Sequence, residues 1–315
     1  MYSQIRKNKQ RSVILVCLFF VIWVAIGAAC GLLFKAVSAS TPPNNYGWKP
    51  VYIGMAICGF LAVCGIVYSL SSGAGTILRV SGAVPADPVK YRQVYDVVEA
   101  LAIGEGIPEP AVYVINDPSP NAFATGVSPD KAAITFTTGL LAIMNREELE
   151  GVVGHEMSHV KNHDIRLLLL VGTMVGMAAM LASILWRSVF YAGGGRGNNR
   201  GNAIVLVVFA AGVLLAIVGF IFGPLTRLAL SRRRESLADV SGVELTRNPA
   251  GLLSALKKLQ QNDKPFKNMN HATAAMCIDD PLQHHEAWYH RLYDTHPPIQ
   301  ERIDALEKLA SGQSL

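Results

Sequence analysis

The sequence predicts an α+β fold, mostly helical with a small β-sheet, joined to four transmembrane helices. Three observations carry this. Only 16% of the 315 residues are charged and 51% are hydrophobic, where a soluble domain carries about 25% charged residues. Four runs lack any charge: 13–34, 51–70, 167–186 and 203–223, each at least 20 residues long. The stretches left between them alternate helical and strand-like patterns.

About 20 apolar residues of helix cross a bilayer core of about 30 Å. Buried core helices rarely stay uncharged on every face for that length, so all four runs are expected to span. The first follows a basic segment (Arg6, Lys7, Lys9, Arg11) but is too long for a signal-peptide core and lacks a prompt small-residue cleavage site. It is expected to be an uncleaved anchor. The organisation expected is a two-span anchor (1–70), the first half of a soluble domain (71–166), two further spans with a Gly/Asn-rich loop (167–226), and the second half of the domain (227–315). Four of the five cysteines (Cys17, Cys30, Cys58, Cys64) fall in the spans, Cys277 stands alone, and no C-x-x-C occurs. The cysteines therefore imply neither a disulfide framework nor a thiolate metal site.

In the first soluble stretch, 91–102 has helical spacing, with Val94, Val97, Val98 and Leu101 on one face. "AVYVIN" (111–116) alternates between flanking prolines and reads as a strand. "NAFATG" (121–126) and "AAITFTTG" (132–139) read as two more strands around a Ser-Pro-Asp turn. "NREELEGVVGHEMSHVKNHD" reads as one helix, with Asn145 as its cap and Glu148 in capping-box position. Beyond the spans, 231–247, 252–261 and 297–309 read as helices.

The chemistry concentrates in "GHEMSHVKNHD". Residues i and i+4 share a helix face, so His155 and His159 can offer two imidazoles to one ion. Glu156 follows His155 and can serve as base to a water on that ion. This is the H-E-x-x-H arrangement of zinc metallopeptidases. Composition alone gives roughly 0.008 expected matches, so chance is a poor explanation. His163 extends the stripe, but eight helical residues cover about 12 Å, too far for one ion at bonds of about 2 Å. It is expected at an interface or behind the ligands.

A metzincin layout would place a histidine six residues beyond His159, but Ile165 stands there. That leaves a ligand on a second helix. "RRRESLADVSG" offers Glu235, with Asp239 at i+4 suited to hold an imidazole N–H of His155 or His159. The alternative is that both acids merely balance Arg232, Arg233 and Arg234. Two spans separate the histidines from Glu235, and two crossings return the chain to one side.

With these residues in place, the chain resembles the HtpX group of membrane-bound zinc metallopeptidases, relatives of the CAAX prenyl proteases. The resemblance rests on two N-terminal spans, "NAFATG", "HEMSH", two further spans, "ESLAD", and "THPP" followed by Arg302. It implies a zincin-like (gluzincin) catalytic domain with one zinc per chain, bound by His155, His159 and Glu235, with Glu156 catalytic. It also implies cytoplasmic proteolysis of damaged or misassembled membrane proteins in the inner membrane, alongside membrane protease or chaperone partners. Basic residues precede span one and follow span four (Arg227, Arg232, Arg233, Arg234), while the loops between spans carry fewer. Both termini and the catalytic domain are thus expected on the cytoplasmic side. The net charge of +5 sits largely at membrane ends, which points away from nucleic acid.

An oxyanion formed during peptide cleavage needs a further donor. His296 of "THPP" is the candidate, its alternative being a structural hydrogen bond at a helix start; Arg302 is the second choice. His271, His284, His285 and His290 are spaced too irregularly for a second metal site and are expected to have surface or regulatory roles. "NAFATG" is expected to bind substrate as a sheet edge through Asn121, Ala122, Phe123 and Ala124, its alternative being an edge strand that merely caps the sheet; the resemblance implies that Asn121 contacts substrate near the scissile bond. Two other readings are a specialised CAAX-type prenyl-protein processing peptidase and a catalytically silent scaffold or zinc sensor. Four spans argue against the first, and an intact Glu156 against the second.

Overall fold

The computed structural model describes residues 2–38, 46–192, 205–214, 232–262, 277–278 and 298–311. The chain divides into two compact units. One comprises Met1–Gln10, Ser72–Leu169 and Pro224–Leu315; the other comprises Arg11–Ser71 and Leu170–Gly223.

The second unit is built from apolar helices. Among the described residues, three helices are long and apolar enough to cross a membrane: Ile5–Ala36 within α1 (Tyr2–Ser38), Lys49–Val80 (α2), and Asp164–Arg187 within α6 (Asp164–Ala192). Of the fourth expected span, Val205–Leu214 (α7) is an apolar helix of shorter length; its remainder lies outside the described residues. Gly27 on α1 meets Gly54 on α2 so closely that a Cβ on either would strike the other's carbonyl oxygen. Small residues allow this approach where lipid supplies no hydrophobic drive between helices. Ser69 hydrogen-bonds Thr173 in the same unit.

The first unit carries a four-stranded sheet ordered β1-β2-β4-β3. The strands are β1 (Val84–Pro85), β2 (Ala111–Ile115), β3 (Ala122–Gly126) and β4 (Ala132–Thr137). β2 and β4 run parallel, with Val112 beside Ile134; β3 returns antiparallel to β4, with Phe123 beside Thr135. Helices α3 (Arg92–Glu105), α5 (Arg146–Lys161), α8 (Arg232–Thr246), α9 (Pro249–Gln261) and α10 (Ile299–Ala310) complete the unit. The short α4 (Thr138–Ile143) takes up the end of the third expected strand, because Thr137 turns from ladder residue to helix cap and accepts from Leu140 N. The core joins Val98, Ile134, Phe136, Val152, Val153, Met157 and Leu256, all essentially inaccessible.

α5 starts as its sequence predicts. The Asn145 side chain accepts from Glu148 N, and the Glu148 carboxylate accepts from Asn145 N. Its end differs from the expectation. The helix stops at Lys161, and His163 adopts φ 58°, the left-handed region uncommon outside glycine. The expected single helix through Asp164 is therefore two. The break turns the chain so that Asp164 opens α6 and faces back toward α5.

Candidate metal site and substrate edge

Close helix approach comes first. A Cβ on Gly242 of α8 would lie 2.9 Å from His155 N, and one on Gly154 of α5 would lie 3.1 Å from Gly242 O. These two glycines let α5 and α8 touch backbone to backbone. That contact carries Glu235 across to the histidines one helix away.

His155, His159 and Glu235 are buried, and one ligand atom from each lies within 4.8 Å of the others. His155 Nε2 is 3.3 Å from His159 Nε2 and 3.7 Å from Glu235 Oε2; His159 Nε2 is 3.6 Å from Glu235 Oε1. Ligands tetrahedral about an ion at bonds of about 2.0–2.1 Å stand about 3.3–3.5 Å apart. The two imidazole nitrogens stand at such a separation; Glu235 faces each of them with a different oxygen, and taking one atom from each residue the set lies within 4.8 Å. His163 is not among these atoms.

Each imidazole is oriented from behind. His155 Nδ1 is 2.9 Å from Asp239 Oδ1, as expected of Asp239. His159 Nδ1 is 3.2 Å from Asp164 Oδ2, a partner missed at sequence level. With both Nδ1 atoms donating to carboxylates, both Nε2 lone pairs face Glu235. In that tautomer two imidazole acceptors and a carboxylate converge, an arrangement that a metal ion, or a proton on His159, satisfies. Each carboxylate is itself clamped by an arginine. Arg302 donates to both oxygens of Asp239, at 3.0 and 2.7 Å, and Arg234 Nη1 donates to Asp164 Oδ1 at 3.1 Å.

The electrostatics agree. Burial drives His155 down to about 4, helped by the Arg302 charge and opposed by Asp239. Burial also acts to lower His159, but Glu235, Asp164 and Glu156 outweigh it and raise it to about 9. Burial alone would raise Asp239; the Arg302 charge and the His155 hydrogen bond hold it below the usual carboxylate range. The carboxylates thus favour positive charge on the Glu235 side of His159.

Glu156 follows His155 on α5, is 1% exposed and acts electrostatically on His159. Arg302 serves differently from its expected role as an oxyanion donor. Its N–H groups go to Asp239 and to Ile278 O, and Nη2 lies 3.4 Å from His155 Nδ1, on the opposite side of the ring from Nε2. His296, His271, His284, His285 and His290 lie outside the described residues.

The expected substrate edge is β3. Thr137 N donates to Asn121 O, so strand alternation turns the N–H and C=O of Ala122 and Ala124 outward. Part of that edge is already used. Ala122 N donates to Asn121 Oδ1, Ala122 O accepts from Ile278 N, and Phe123 bridges to Cys277. Residues 277–278 therefore already occupy part of this edge, and their bridge takes up outward groups on both sides of Phe123.

Residues 88–310 match the model of peptidase family M48. That covers well over half the chain. The chain belongs to peptidase family M48. It is 38% identical over 313 residues to a "Protease HtpX homolog" of Lactobacillus helveticus, covering 98% of this chain and all of the relative. A namesake in Streptococcus gordonii is 37% identical with the same coverage, and one in Caldanaerobacter subterraneus is 41% identical over 264 residues, 82% of this chain and 87% of the relative. A crystal structure of Ste24p from S. mikatae is similar at TM-score 0.49 and 20% identity, covering 98% of this chain and 67% of that one.

The two carboxylates behind the histidines give a direct test. Asp239→Ala and Asp164→Ala should each weaken metal affinity about 10–100-fold without abolishing binding. Competition with a chelator measures this. Unchanged affinity in either variant would leave that carboxylate an ordinary helix residue.

Proposed function

We propose that this member of family M48 is a membrane-integrated zinc endopeptidase that cleaves misfolded or damaged membrane proteins. The observation that carries the reading is the buried convergence of His155, His159 and Glu235 with Glu156 beside them. The donor set, two imidazoles and one carboxylate, suits zinc at a hydrolytic site. A zinc ion held by His155, His159 and Glu235 would supply Lewis acidity, making water a better nucleophile near neutral pH and the scissile carbonyl a better electrophile. Glu156 accepts the proton of the attacking water and returns it to the leaving amine. Asp239 and Asp164 hold both rings with Nε2 toward the ion. His296 is the proposed oxyanion donor.

Crossing parity supports the topology. The helix after α5 is apolar enough to cross a membrane, yet Glu235 meets the histidines on one side. The chain must return between them, which favours run 203–223 as a fourth span. The basic flanks favour both termini and the catalytic unit on the cytoplasmic side of the inner membrane.

A protease that accepts many damaged proteins must grip backbone rather than one side chain. Addition of substrate as a strand beside β3 does so, with Asn121 near the scissile bond and Ala122, Phe123 and Ala124 along it. The test is hydrolysis of an unfolded membrane protein by purified protein, with zinc and with a chelator. Cleavage that needs zinc supports the reading; none in its presence overturns it. In the same assay Ala124→Pro, which removes the N–H that the Phe123–Cys277 bridge uses and that an incoming strand would need, should lower cleavage about 10–100-fold while zinc content stays unchanged, since a lost hydrogen bond costs about 1–3 kcal/mol. Near-parental cleavage by that variant would show that substrate binds elsewhere.

A further inference from the structure

The N-terminal end of α1 reaches into the same compact unit as the metal site. There Arg6, Lys7, Lys9 and Gln10 are exposed, and Asn8 between them is fully buried. Its Nδ2 donates to Asn162 O at 2.9 Å and to Asp164 Oδ1 at 2.7 Å. These acceptors flank His163, the left-handed residue at the break between α5 and α6. One carboxamide therefore ties together both sides of the break that turns Asp164 toward His159.

The bookkeeping at Asp164 shows what the tie does. Oδ2 faces His159 Nδ1 at 3.2 Å, while Oδ1 accepts from Asn8 and from Arg234. Two donors on one oxygen fix the carboxylate plane and hold the other oxygen on the imidazole. Removing Asn8 leaves Arg234 as the remaining anchor of that oxygen among these contacts and unties the Asn162 carbonyl. An asparagine suits the position because it supplies two N–H groups without a charge. A lysine or arginine there would draw Asp164 away from His159 by charge.

We propose that Asn8 is a positioning residue of the metal site, setting His159 through Asp164. The first apolar helix then contributes to metal binding as well as to membrane attachment, and its loading and its docking are linked. The inference rests on reading His155, His159 and Glu235 as the metal site.

The experiment uses the full chain in detergent: parent, Asn8→Ala, Asn8→Asp, Asp164→Ala, the Asn8→Ala/Asp164→Ala double variant, and His155→Ala. Zinc affinity is read by chelator competition, and ligand geometry by the visible absorption of the cobalt-loaded protein. Asn8→Ala should bind zinc about tenfold more weakly, at the low end for groups behind metal ligands, with an altered cobalt spectrum. Asn8→Asp, close in size, should be weaker still because it sets a carboxylate against Asp164. In the Asp164→Ala background, Asn8→Ala should cost nothing further. Affinities within about twofold of parent in both Asn8 variants would overturn the inference. So would a full additional loss in the Asp164→Ala background, since Asn8 would then act by general stability alone. A parent that holds no zinc removable by His155→Ala overturns the underlying site and this inference together. A zinc-loaded parent with indifferent Asn8 variants overturns this inference alone.

Discussion

Glu156→Gln is expected to stay folded, keep its metal and lose about 10³–10⁴-fold in peptidase activity, the upper range for a single acid–base group. Gln keeps the shape of Glu but cannot take a proton. The converging atoms belong to other residues: His155 and His159 present Nε2, with Asp239 and Asp164 holding their Nδ1 atoms. None of those contacts uses the Glu156 carboxylate. Metal content should therefore match the parent while kcat collapses and KM moves little. Activity within about tenfold of parent would assign the water's proton to another group. One secondary change is expected. The Glu156 charge helps hold His159 above its ordinary value, so the metal-free variant binds a proton on His159 less tightly.

This outcome concerns the part of the site most legible in the sequence. His155, Glu156 and His159 are adjacent in sequence, and helical periodicity alone puts the two rings together. Glu235 and Asp239 were legible because a third ligand was required and four-residue spacing places both on one face of α8. Asp164 was not, although it lies only five residues past His159. Periodicity extends smoothly through "KNHD", and nothing local marks His163 as the residue that takes φ 58°. The break exists because tertiary partners hold it: Asn8 on one helix and Arg234 on another. Arg302 shows the same limit. Its position beside "THPP" pointed to the catalytic region, but its direction depends on where α10 packs against α8. There it faces Asp239 rather than substrate. The strands of the sheet were legible individually from alternation. Their order was not, nor was the pairing of residues 277–278 with the β3 edge, because both depend on contacts between distant parts of the chain.

Glu235→Ala should lose zinc nearly as completely as His155→Ala, whereas His163→Ala should retain it. His155 Nε2 and His159 Nε2 lie 3.3 Å apart, and Glu235 faces them with one oxygen each at 3.7 and 3.6 Å, so the three can hold one ion between them. Glu235 is also the one anionic member of that set, and it is 0% exposed. Removing it leaves two neutral imidazoles to hold a divalent ion in a site that water reaches poorly. Asp239 and Asp164 cannot replace it, because both are committed to Nδ1 atoms and to arginines. His163 provides the contrast. It shares the four-residue stripe in sequence, but the helix ends before it. Its ring lies outside the group of converging ligand atoms. His163→Ala should affect only the ease of the turn, a position where alanine also resists positive φ, and so should cost stability before it costs metal. Zinc measured per chain by atomic absorption after gel filtration separates the three variants. A full equivalent of zinc in purified Glu235→Ala would show that the third ligand lies elsewhere in the chain.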